Sequence, residues 1–98
     1  MVNIVKVSRA LSDQNRLKIL EMLSDGENNV GNVADGLNVE ENLASHHLRV
    51  LASLGFLSSN KKGREVYYRL NKKKFVALIK DLQRNPAFRE ILLEALEE

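Results

Sequence analysis

Apolar positions follow a helical period through most of this chain and change to alternation once, after Gly55. Ile4, Val7 and Leu11 share a stripe and predict a short helix over Ile4 to Leu11. Leu17, Leu20 and Leu23 predict a second helix in DQNRLKILEMLSD, with Ser12 or Asp13 placed to cap it and Gly26 just past its end. Val30, Val33, Ala34 and Leu37 fall at i, i+3, i+4 and i+7, giving a brief third helix broken at Gly36-Leu37-Asn38. A fourth helix starts near Glu40 and ends before Gly55. Leu43, His47, Val50, Leu51 and Leu54 are expected on its packed face, and Asn42, Ser45, His46, Arg49 and Ser53 on the other.

Beyond Gly55, FLSSN and REVYYRL flank the turn-forming KKGR and read as a hairpin. Val66, Tyr68 and Leu70 alternate with Glu65, Tyr67 and Arg69, as one packed face requires. A fifth helix over about Lys72 to Arg84 carries Phe75, Leu78, Ile79 and Leu82 in one stripe. Asn85-Pro86 then opens a last helix whose apolar residues are Phe88, Ile91, Leu92, Ala95 and Leu96. The predicted fold is mainly α with a small β-hairpin, an α+β arrangement.

With 98 residues the chain reads as one domain, burying roughly 60–65% of its unfolded surface. No apolar run approaches the roughly 18–20 residues that cross a bilayer. MVNIVKVSRALSD lacks the basic head and apolar block of a secretory signal. Zero cysteines excludes disulfides, thiolate metal sites and thiol sensing, and fits a cytoplasmic protein. No glycine-rich phosphate loop, HExxH signature or cysteine nucleophile is present, so no catalytic activity is expected.

The net charge of +2 conceals a segregation that changes the picture. Residues 1–43 carry four Lys/Arg against seven Asp/Glu, residues 44–80 nine against one, and residues 81–98 two against five. A basic middle between acidic ends suits a polyanion-binding surface. The basic part coincides with the fourth helix and the hairpin.

The adjacent His46 and His47 invite a metal reading, which helical geometry opposes. Neighbours on a helix diverge by ~100°, whereas helical ligand pairs need i,i+3 or i,i+4 spacing. No other histidine and no cysteine completes a ligand set. His47 is expected to pack with a satisfied ring nitrogen, and His46 to lie at the surface. Tyr67 and Tyr68 are better suited to packing than to stacking on bases.

Helix, turn, helix, then a hairpin tipped with Lys61, Lys62 and Arg64 is the order of a winged helix-turn-helix. Asn42, Ser45 and His46 suit base edges in a major groove, while Arg49 and the tip suit phosphates. At these residues ALSDQNRLKILEML, SHHLRVLASLGFL and KKGREVYYRLN resemble, in order and spacing, the ArsR/SmtB family of winged-helix repressors. The resemblance covers roughly Val5 to Asn71. It implies a homodimer on an inverted-repeat operator of double-stranded DNA, released by an effector. By this reading the helix-turn-helix covers about 30–54 and the wing about 56–70, with dimerisation helices over about 4–11 and 72–97.

The departures from the family pattern bear on sensing. Where family members place two cysteines around a valine on the third helix, ENNVGNV has Asn29 and Gly31. Where acidic and histidine ligands occupy the last dimer helix, NKKKFVALIKDLQRN offers Lys72, Lys73 and Lys74 and no histidine. No metal site and no cofactor are therefore expected, and a small-molecule or protein effector stays unidentified. No membrane contact is expected either, because the polar face of the last helix is acidic. Glu40 and Glu41 open the recognition helix where many relatives have Ser and Gln. Glu40 suits capping or solvent, and Glu41 is open between a helix-end role and reading cytosine. Lys72 to Lys74 form either a phosphate-contacting corner or a soluble helix start. Dimerisation is expected through Ile4, Val7, Phe75, Leu78, Ile79 and Leu82, with the last helix either joining that interface or folding back. Constitutive or architectural DNA binding, or a protein-interaction module, are the alternatives.

Overall fold

Side chains flanking three of the apolar runs set where those helices begin. In the computed structural model, which describes residues 4–87, 89, 90 and 94, α1 spans Ile4–Leu11 and α2 Gln14–Ser24. Asp13 rather than Ser12 caps α2, its Oδ1 accepting from the amides of Asn15 and Arg16 at 2.8 and 3.1 Å. α3 covers Val30–Leu37, after the two-residue strand β1, Asn28–Asn29. Asn29 Oδ1 accepts from the Asn32 amide at 2.7 Å, and Asn38 closes α3 in the left-handed conformation with φ 56°. α4 covers Glu41–Ser53, and α5 covers Lys72–Arg84 behind an Asn71 cap on the Lys74 amide.

β2, Leu57–Lys62, and β3, Glu65–Leu70, form the hairpin, antiparallel with Lys62 opposite Glu65. Its loop is Gly63-Arg64, and Gly63 has φ 64°, which a two-residue turn with glycine first requires. β1 adds a third strand on the far side of β3, with Asn28 opposite Tyr68, so the sheet order is β1-β3-β2. Alternation along the sequence does not predict β1, because two asparagines carry no apolar pattern. It forms because β3 would otherwise present an unpaired edge. The described residues beyond Asn85 are helical, Asn85 Oδ1 accepting from the Ala87 amide at 3.0 Å. Phe88, Ile91, Leu92, Ala95 and Leu96, expected on that helix, and the Ile4 side chain lie outside the described residues.

The core joins α2, α3, α4 and the hairpin base, with Ile19, Val33, Leu48, Leu51 and Phe56 sealed from solvent. Two stripes differ from the expected ones. On α4 the sealed residues are Ala44, His47, Leu48 and Leu51, while Leu43 is 43% exposed. On α2 Ile19 replaces Leu17 in the core, and Leu17 is exposed. Each helix carries more leucine-like positions than one face can bury, and its neighbours choose among them. Val7 and Leu78, expected at a dimer interface, lie in this protomer's own core at 6% and 2% exposure. Phe75 and Leu82 are half-buried, Phe75 meeting Phe56 edge-on at 6.2 Å. Val5, Val76 and Ile79 remain exposed. The order of helices and hairpin is that of a winged helix-turn-helix.

Candidate nucleic-acid interface

α4 turns its polar stripe outward. Asn42, His46 and Arg49 are exposed and Ser45 is half-buried, Arg49 Nη1 donating to Ser45 Oγ one turn away at 2.8 Å. The carbonyl of Glu40 accepts from the Leu43 and Ala44 amides, but its carboxylate makes no capping bond and lies in solvent. The Glu41 carboxylate sits over the first turn of α3, its Oε1 3.2 Å from where a Cβ on Gly31 would lie. A groove of about 320 Å³ separates α4 from the wing, with Asn42 and Ser45 on one wall and Arg64 and Glu65 on the other. The structure thus brings part of the expected base-reading set and part of the wing tip to one cleft.

The wing cations differ among themselves. Lys61, Lys62 and Arg64 are all exposed, but Lys62 forms an ion pair with Glu27 and lies 4.8 Å from the centroid of the Tyr67 ring. Tyr67 Oη donates to Glu65 Oε2 at 3.0 Å, and Asn29 Nδ2 donates to the same oxygen at 3.3 Å. β1 therefore holds the wing from behind. Glu27 was invisible as a wing residue in the sequence, since its partner lies 35 positions away. Tyr68 is buried, in keeping with packing. Lys72 and Lys73 line a second groove, of about 560 Å³, together with Arg69 and the acidic Asp25 and Glu27. The Lys74 stem covers Gly55, so part of this lysine run packs.

His47 is 5% exposed, and its Nδ1 lies 3.2 Å from Arg16 Nη1. Arginine has donors only, so the contact requires the Nδ1 lone pair and places the ring proton on Nε2. Burial holds the His47 pKa below the ordinary value; Asp13 pulls it up, and the charges of Arg16 and His46 push it down further. Asp13 is pushed up by desolvation, but the Arg16 amide bond, His47, the Arg16 charge and the Asn15 amide bring it below the usual carboxylate range. The rings of His46 and His47 are 5.7 Å apart and tilted by 53°. Among the described residues, no group of three His, Cys, Asp or Glu side chains is placed to hold a metal ion. None of the described helices is long and apolar enough to cross a membrane.

This geometry coincides with a family match. Residues 13–59, from the α2 cap into β2, match the family described as "Bacterial regulatory protein, arsR family". Over 65 residues the chain is 38% identical to the transcriptional repressor SdpR of Bacillus subtilis (strain 168), covering 66% of this chain and 72% of that protein. The chain belongs to the arsR family of bacterial regulatory proteins. It is also 44% identical over 71 residues to a cadmium resistance transcriptional regulatory protein, CadC homolog, from Staphylococcus aureus, covering 71% of this chain and 59% of that protein. Among solved structures it resembles the homodimeric winged helix-turn-helix DNA-binding domain of a possible ArsR-family regulator from Mycobacterium bovis. That likeness has a TM-score of 0.71 at 27% identity, covering 97% of this chain and 80% of the other.

Proposed function

We propose that this arsR-family chain is a sequence-specific repressor that binds an inverted-repeat operator in double-stranded DNA as a homodimer, in the cytoplasm. The observation that carries the reading is the α4 stripe of Asn42, Ser45, His46 and Arg49, facing solvent beside a basic wing tip. Short polar side chains on a helix suit base edges, and cations on either side suit phosphates. Lys61 and Arg64 serve as the wing's phosphate contacts, with Lys62 held in reserve by Glu27. The relatives named as repressor and DNA-binding domain support this role.

Pairing is assigned to α1 and α5. Val5, Val76 and Ile79 lie exposed there, beside the half-buried Phe75 and Leu82. Twofold pairing sets two recognition helices about one turn of DNA apart. The effector is not a metal at the usual family sites, since Asn29, Gly31 and the lysines of α5 stand where ligands would be needed.

Selection of bound duplexes from a random-sequence pool, followed by titration across salt, tests the proposal. The expected result is an inverted repeat whose affinity falls steeply with salt. No enrichment, or affinity independent of salt, would defeat it.

A further inference from the structure

Arg16 holds a position that the DNA-facing residues do not account for. Its half-buried guanidinium joins two elements: Nε and Nη2 donate to the carbonyls of Ala10 and Arg9 in the last turn of α1, at 2.9 and 3.1 Å, while Nη1 meets His47 Nδ1 on α4. The carbonyl end of a helix attracts a cation, so the α1 contacts anchor the guanidinium. Nη1 is thereby fixed in space and fixes the His47 ring in turn. His47 follows His46, whose side chain is on the outward face. One side chain therefore ties the seat of the recognition helix to the end of α1.

We propose that Arg16 is a positioning residue for DNA recognition, seating α4 against α1 through the neutral ring of His47, so that operator affinity weakens when His47 takes up a proton. The inference rests on the DNA-binding reading above. A proton on Nδ1 removes the only acceptor Arg16 has on α4 and sets two cations against each other at the present 3.2 Å separation. Arg16 must then leave either the α1 carbonyls or the ring. The charged groups around His47 are Asp13 and Arg16 from the α2 side and His46 on α4 itself; α1 contributes carbonyls through Arg16. Asp13 favours the proton, while burial, Arg16 and His46 oppose it, which keeps the neutral, DNA-competent ring at neutral pH.

The test titrates an operator duplex obtained by selection, at fixed salt and at pH 7.5 and pH 5.5, using protein whose fold is verified by circular dichroism at both. His46→Gln is the background, because it leaves His47 as the one histidine of the chain. In that background affinity is expected to fall towards pH 5.5, by up to about tenfold for one charge-assisted hydrogen bond. His47→Asn, whose Oδ1 stands near the place of Nδ1 and does not titrate, is expected to bind equally at both values. Arg16→Lys keeps the charge but cannot span three acceptors, and is expected to bind more weakly at pH 7.5 with a flattened pH response. If His47→Asn does not fold, the Arg16→Lys profile decides alone. An unchanged pH response in either folded variant, or a flat profile in the background protein, overturns the inference. No duplex binding at either pH would instead strike the DNA-binding reading.

Discussion

Neutralising Glu27 should tighten DNA binding, although Glu27 carries the wrong charge for a contact with DNA. The ion pair with Lys62 is exposed, with side-chain accessibilities of 50% for Lys62 and 37% for Glu27, so it contributes up to about 1 kcal/mol and leaves the fold intact when removed. Paired, Lys62 adds nearly nothing to the positive field that phosphates meet. Glu27→Gln frees one cation at the wing. Each cation that neutralises a phosphate steepens the dependence of log affinity on log salt by about 0.9. The expected gain is up to about fivefold at moderate salt, equal for all sequences, with a slope steeper by up to about 0.9. Lys62→Gln has the reverse effect, since it leaves Glu27 unpaired against the approaching phosphates. The double variant, which removes both charges, should return close to wild type. Lys61→Gln and Arg64→Gln should each flatten the slope by about 0.9 and serve as references. Fluorescence anisotropy across a salt series, on operator and unrelated duplexes, reads all five variants beside the wild type. A double variant as weak as Lys62→Gln would show that Lys62 meets phosphate regardless of Glu27 and refute the reasoning.

The other expectations concern assembly, the core, acid and metals. Ile79→Glu places a charge on the exposed apolar face of α5 and should give a monomer with weakened operator binding, while a dimer in sedimentation would move the interface elsewhere. Leu48→Ala, at a fully sealed position, should cost about 2–5 kcal/mol in urea unfolding, and a loss below about 1 kcal/mol would mean the site collapses around the change. The folded His47 binds a proton less readily than the unfolded chain. Stability should therefore be greatest above the ordinary histidine value of about 6.5 and decline as pH falls through it. Asp13 adds a further loss at lower pH, once its depressed folded pKa is crossed, and denaturant titrations at several pH values that show no decline for wild type would contradict both. Zinc, copper, nickel, cadmium or arsenite should leave operator affinity unchanged, and a stoichiometric site with DNA release in calorimetric titration would reverse that expectation.

What the sequence settled by itself is what neighbours along the chain decide. The start of α2 depends on a side chain reaching amides two and three residues on, at Asp13, one of the two caps the sequence offered. The wing depends on alternation and on a glycine in the only loop position that needs positive φ. A buried His47 beside an exposed His46 follows from a rotation of about 100° per residue. Tertiary packing decided the rest. Leu43 and Leu48 have the same chemistry, and only the placement of α3 and β2 sends one to solvent and the other to the core. Val7 and Leu78 belong to stripes that serve a partner or the protomer equally well until the other elements are in place. β1 exists because β3 has an edge to fill. Arg16 with His47 and Glu27 with Lys62 are 31 and 35 positions apart. Such contacts leave no periodic trace, because their energy depends on where the folded chain brings two side chains and not on the spacing between them.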